Sequence, residues 1–196
     1  NDGYGIQLSV NSIKFLNNIG FNKFDNNQLY LPKKVNFLNA KDSKKICDID
    51  LSKFNNENNH YTTLKRSSLI KFLLNGIPKD KLILNYELND IKQGDQSSLL
   101  FSDNKTDEFD YLVAADGIYS KTKQILFKKD GLPEYFDAIA LRGTIRDFSS
   151  FDISLYLGPN FHFVIYPINQ NKEFNFIAVA RKELIKKKLS DKDFLD

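Results

Sequence analysis

The apolar positions change period several times along the chain, and each change marks an element. After Gly3-Tyr4-Gly5, Ile6, Val10, Ile13 and Leu16 recur at three and four, the period of an amphipathic helix. Gly20 stands where its C-cap belongs. Residues 35–39 and 44–51 alternate apolar with polar around a turn at 40–43, which predicts a hairpin. Leu69, Ile70, Phe72, Leu73 and Leu74 crowd 67–75, so this helix is expected to be heavily buried, with Gly76 closing it and Pro78 beyond. Residues 81–92 read as a strand with an antiparallel partner over 97–102.

The stretch 109–123, FDYLVAADGIYSKTK, organises the middle of the chain. Its apolar run, 111–115, follows Asp107, Glu108 and Asp110 and ends at Asp116-Gly117. Such a run predicts a buried strand over 109–115. Ile118, Ile125 and Leu126 then share a face of a helix over 118–127. The unit is strand, small-residue turn and helix, with a carboxylate at the carboxyl end of the strand, where open α/β sheets bind ligands. Past Phe127 the pattern turns β-like over 135–146, 152–157, 162–168 and 173–181, with turns at 158–160 and 169–172. That predicts a mostly antiparallel sheet. Residues 184–196 form a charged tail read as helical.

Composition narrows the function classes. The 196 residues are 41% hydrophobic and 27% charged, an ordinary globular balance. A net charge of +3 gives no electrostatic case for nucleic acid. One cysteine, Cys47, excludes a disulfide framework and points to a reducing, cytoplasmic setting. No apolar stretch is long enough to cross a bilayer, and no signal peptide opens the chain. There is no methionine, which removal of an initiator methionine or a chain cut from a longer reading frame would each explain, and NDGYGIQLS reads like the middle of a domain. His60, His162 and Cys47 lack metal-ligand spacing. Neither GxSxG nor GxxxxGK occurs. Gly3-Tyr4-Gly5 fails as a Rossmann fingerprint, because position 8 is Leu8 and no strand is predicted before it.

Two local features carry candidate chemistry. Asp116 can accept hydrogen bonds from sugar hydroxyls or hold a cation; Asp116-Gly117 can equally be only a tight turn. Lys65-Arg66 precedes a helix, where the dipole does not favour cations. The pair reads either as solvated or as a phosphate contact, for which the guanidinium fork is suited.

Longer strings favour the functional readings. AADGIYSKTK at 114–123 resembles the GADGxxSxxR segment of class A flavoprotein monooxygenases, the p-hydroxybenzoate hydroxylase-like FAD enzymes. Ala115, Asp116, Gly117 and Ser120 match, while Ala114 and Lys123 replace glycine and arginine. Residues 3–21 resemble the family's GxGIxLxPNxxxxLxxLG, with Val10 for proline. LKRSSLIKFLL at 64–74 resembles HRxxLxxxLL, with Lys65 for histidine. Leu141-Arg142-Gly143 resembles the RG that opens the substrate domain, and 157–168 resembles the GPxxxxxxYP hairpin.

The resemblance implies an α/β fold: a partial FAD-binding nucleotide fold interleaved with a mostly antiparallel β-sheet substrate domain. Residues 1–30 and 56–127 would belong to the FAD-binding domain, and 31–55 and 128–196 to the substrate domain. The glycine fingerprint, the ribose-binding acid and the later GD segment would lie outside these residues, so this chain alone is expected to be inactive. The implied cofactor contacts are Arg66 on the FAD phosphates or ribityl chain, Leu88 through its backbone on the adenine, and Asp116 and Gly117 near the pyrophosphate. Arg142 and Tyr166 are implied on the substrate side. The implied activity uses NAD(P)H and O2, and a flavin hydroperoxide hydroxylates a small aromatic or similar substrate. No side chain is assigned as nucleophile, since the chemistry is the cofactor's. A related flavin oxidoreductase without oxygen insertion and a non-catalytic remnant or binding module remain as alternatives.

Overall fold

The computed structural model describes residues 4–94, 97–128, 134 and 137–181. The chain divides into two compact units, Asn1–Ile77 with Asp137–Asp196, and Pro78–Phe136. In chain order the first unit opens with β1 (Gly5–Leu8), α1 (Val10–Asn17), β2 (Leu29–Tyr30), β3 (Lys34–Asn39), β4 (Lys45–Asp50), β5 (Thr62–Lys65) and α2 (Arg66–Asn75). The second unit holds β6 (Leu88–Lys92), β7 (Ser97–Phe101), β8 (Thr106–Phe109) and α3 (Lys121–Phe127). The chain then returns to the first unit with β9 (Ala138–Arg146), β10 (Ile153–Leu157), β11 (Phe161–Pro167) and β12 (Glu173–Arg181). The result is the expected mixed α/β fold, dominated by sheet.

The first unit contains two sheets. In the smaller, β5 lies between β1 and β2, antiparallel to both. The residues expected to begin a helix, from Ile6, instead form β1, and α1 starts only after Ser9, whose extended backbone and side chain cap it. Tertiary contact overrides the helical period here. The Gly5 N–H donates to the Asn175 carboxamide oxygen at 2.7 Å, and β1 fills a place beside β5. Leu8, Ile13, Leu16, Phe21, Leu29, Leu64 and Leu69 form the core over this sheet. Phe21 stacks on Phe24 at 4.9 Å and meets Phe72 edge-on at 5.3 Å.

Helix α2 departs from the expected heavy burial. Only Leu69 is buried, while Ile70, Leu73 and Leu74 stay exposed. A short helix on one sheet covers a single stripe, here Leu69 and Phe72.

The larger sheet runs β4-β3-β10-β11-β12-β9. The expected hairpin β3–β4 and the strands β9 to β12 all form, and only the β3–β10 pair is parallel. That junction is fixed by Asp152, whose carboxylate accepts the backbone N–H of Lys33 at 2.8 Å and of Lys34 at 2.9 Å. One face of the sheet carries Ile153 and Tyr166, packed with Leu51 and Ile168. The other carries an aromatic row, Tyr156, Phe163 and Phe176. Gly143 sits opposite Phe176, and a Cβ there would come within 2.7 Å of the ring. Cys47 is exposed on the edge strand β4.

The second unit is the antiparallel sheet β6-β7-β8 with α3 against β6. Two expectations shift. The strand read over 81–92 starts at Leu88, and Lys79–Lys81 is a 3-10 turn. The strand read over 109–115 lies at Thr106–Phe109 instead. The register pairs Phe109 with Ser97, the first residue of β7, so the ladder has run out before the apolar run begins. Residues 110–116 have no regular structure, and Tyr111 and Val113 are 93% and 89% exposed. Helix α3 begins at Lys121 rather than at 118, because Ser120 caps it. Residues 135–136 of the expected strand and the expected tail helix at 184–196 lie outside the described residues.

Candidate functional site

Arg66 stands where β5 passes into α2. The strand that delivers it is fixed: Thr63 and Leu64 are fully buried, and the Thr63 hydroxyl donates to the Pro167 carbonyl at 2.5 Å. Lys65 and Arg66 then diverge. The Lys65 ammonium pairs with Glu173 at 2.9 Å. Glu173 also accepts from Arg146 at 3.3 Å and from the Asn169 carboxamide. Lys65 is the main cause holding the Glu173 carboxyl below its ordinary range. Lys65 is therefore structural, not half of a solvated pair. Arg66 is exposed, its backbone N–H donates to the Tyr4 carbonyl at 2.8 Å, and its guanidinium has no ion-pair partner among the described residues. Among the described residues no side chain caps α2. A free guanidinium beside an uncapped helix start suits a phosphate oxygen.

Asp116 and Gly117 lie in the second unit, as does Leu88. Gly117 adopts φ +79°, and a Cβ there would meet nothing within 4 Å, so glycine is needed for conformation, not for space. The Ser120 N–H donates to the Gly117 carbonyl at 3.1 Å and closes the turn. The Ser120 hydroxyl accepts from the Lys123 N–H at 3.0 Å. Asp116 accepts from the Thr122 N–H at 3.0 Å. The Ser120 hydroxyl, with that N–H, holds the Asp116 carboxyl down to about 2. The carboxylate is ionised and committed to the start of α3, so a tight turn with a cap is what its local geometry describes. Leu88 begins β6, half-buried and paired with Phe101, next to a register shift before Asp90.

Arg142 and Tyr166 are in the first unit, on the larger sheet. Tyr166 pairs with Asn175, and Arg142 pairs with Ile177, two residues along β12. Strand alternation puts Arg142, Tyr166 and Asn175 on one face. Arg142 is exposed; Tyr166 is 2% exposed. Burial pushes the Tyr166 phenol up to about 12, so it stays protonated at neutral pH. Gln7 hydrogen-bonds Tyr166 and also accepts from the Tyr61 hydroxyl at 2.8 Å. The Asn175 carboxamide N–H2 is buried without a hydrogen-bond partner among the described residues. Gly5 faces Lys65 across β1–β5, so the Gly5–Asn175 contact and Arg66 share one end of that ladder.

Sequence reasoning missed Gln7, Tyr61 and Asn175. The signals were present. A GxG that is no nucleotide fingerprint marks a close backbone approach, and a Cβ on Gly5 would lie 2.6 Å from that of Asn175. An asparagine at a core-facing position of the apolar strand FNFIAVA is a buried polar group needing a partner. Among the described residues no three His, Cys, Asp or Glu gather as a metal site. No helix there is long and apolar enough to cross a membrane.

No family model matches the chain. An FAD-dependent monooxygenase, eupB, from a Phoma species is 23% identical over 133 residues, covering 61% of this chain and 30% of that protein. HpxO of Klebsiella pneumoniae, solved with FAD and uric acid, superposes with a TM-score of 0.79 at 15% identity, over 98% of this chain and 50% of that one. A salicylate hydroxylase solved as a substrate complex superposes with a TM-score of 0.75 at 17% identity, over 96% of this chain and 51% of that one. The chain thus spans about half the length of the solved structures it matches, and less of its sequence relative. In fold it is similar to these solved structures, and in sequence it is similar to FAD-dependent monooxygenases.

Proposed function

We propose that the protein is an FAD-dependent monooxygenase that consumes NAD(P)H and O2 and hydroxylates a small aromatic or similar substrate. The observation that carries this reading is Arg66, a cation without an ion-pair partner among the described residues, at the uncapped start of α2. It stands in a fold whose solved examples include one holding FAD. FAD, when bound, supplies electron transfer from the nicotinamide and the activation of oxygen.

In this reading Arg66 holds the phosphates or ribityl chain, the Leu88 backbone meets the adenine, and Asp116-Gly117 flanks the pyrophosphate. Residues 1–30 and 56–127 serve the cofactor, and 31–55 and 128–196 serve the substrate. Arg142 offers a charged donor, and Tyr166 a protonated phenol, to oxygen atoms of the substrate. The apolar residues around Tyr166 keep water away. The lone, exposed Cys47 fits a reducing compartment, and we place the protein in the cytoplasm.

The test is to mix the intact, FAD-loaded protein anaerobically with NADH or NADPH, then admit oxygen with a panel of phenols and aromatic acids. Bleaching of the flavin band followed by a product one oxygen heavier supports the reading. Oxygen consumption without a hydroxylated product across the panel supports a flavin oxidoreductase instead.

A further inference from the structure

The first unit holds a cavity of about 380 Å³, within the range of small-molecule sites. It is lined by Tyr30, Pro167 and Phe174, by Phe148 and Phe151 from the β9–β10 loop, and by the β11–β12 turn. Pro167 and Phe174 pair directly, one step along from Tyr166 and Asn175. Alternation therefore puts this cavity on the opposite face of the sheet from the Tyr166 cluster, away from the contacts assigned above to Arg142 and Tyr166.

Its chemistry is specific in two respects. The walls are aromatic: Phe148 meets Phe174 edge-on at 5.6 Å, and Phe151 joins them while 80% exposed. An aromatic ring so exposed beside a cavity offers apolar surface that a second ring would cover. The lining also includes one acid and one base, Asp147 and Lys172. The Asp147 N–H donates to the Lys172 carbonyl at 3.1 Å, which fixes the two backbones side by side. Yet neither side chain forms an ion pair with any described residue. Tyr30 is also in the lining, and its hydroxyl has no hydrogen-bond partner among the described residues. Ring walls with a free carboxylate and a free ammonium complement a ligand carrying the opposite charges on an aromatic frame.

We propose that this cavity binds a small amphoteric aromatic molecule, one ring bearing both an ammonium and a carboxylate, as an aromatic amino acid does. Asp147 takes the ammonium, Lys172 the carboxylate, and Phe148, Phe151 and Phe174 the ring.

The experiment titrates the purified protein with L-phenylalanine, benzoate and phenethylamine by ligand-observed NMR. Asp147 and Lys172 both have left-handed backbones, φ +59° and +56°. Asparagine tolerates that conformation, so Asp147→Asn and Lys172→Asn should keep the wild-type melting temperature. Phe151→Ala, at an exposed position, should keep it too. L-phenylalanine should saturate in the millimolar range, with the two half-charged analogues weaker. Each charge variant should lose affinity roughly two- to fivefold, and Phe151→Ala should lose it as well. No saturation by L-phenylalanine in wild-type protein overturns the proposal. So does affinity unchanged in both charge variants, or benzoate and phenethylamine binding as tightly as the amino acid.

Discussion

Gly5 shows how much a single backbone position decides. Its N–H reaches Asn175, and a Cβ would lie 2.6 Å from the Asn175 Cβ and 2.8 Å from the Ile168 Cγ2. Gly5→Ala must therefore push β1 away from β12. Overpacking of this kind costs about 1–3 kcal/mol, read as a lower urea midpoint. An unchanged midpoint would mean that β1 yields freely and that Asn175 does not hold it. Asp116 supports a prediction in pH. Its folded carboxyl is lowered from the ordinary 3.8 to about 2. The contribution is present above 3.8 and is lost as pH falls through about 2. The Thr122 amide should lose protection from exchange over that window in wild-type protein but not in Asp116→Asn. The same window in both would place the titrating group elsewhere.

At the scale of elements, α2 separates a covered stripe from an open one. Leu69 is buried in the core, while Leu74 is exposed. Leu69→Ala should cost about 2–5 kcal/mol, and Leu74→Ala should stay within about 0.5 kcal/mol. Equal losses in a denaturant titration would show that the open stripe is covered by something in solution. The strands of the larger sheet were legible because Phe, Ile, Val and Tyr alternate between turns with clear chemistry, such as Gly158-Pro159-Asn160. The start of α1 was not, because Ile6 fits both periods and the contact of Gly5 with Asn175, 170 residues on from Gly5, settles it. The run 111–115 has the composition of a buried strand, but composition does not say whether a neighbouring strand exists. Among the described residues none pairs with it. Candidate residues could be named from sequence where there is a motif, at Arg66 and at Asp116-Gly117, the latter held in a local turn. Gln7, Tyr61 and Asn175, brought beside Tyr166 and Gly5 by packing alone, could not be named that way.

For the whole molecule, the central claim is that Arg66, left free while Lys65 is held by Glu173, serves an FAD phosphate. These 196 residues contain no GxGxxG and span about half of the solved structures' length. The decisive measurement is made on the whole protein. It is a titration of the apoprotein with FAD, followed by flavin fluorescence, in wild type and Arg66→Ala. Loss of one charge-assisted hydrogen bond costs about 1.5–3 kcal/mol, so the variant should bind FAD roughly ten- to a hundredfold more weakly. Equal affinity in the two proteins, or an intact wild type that takes up no FAD, would contradict the account.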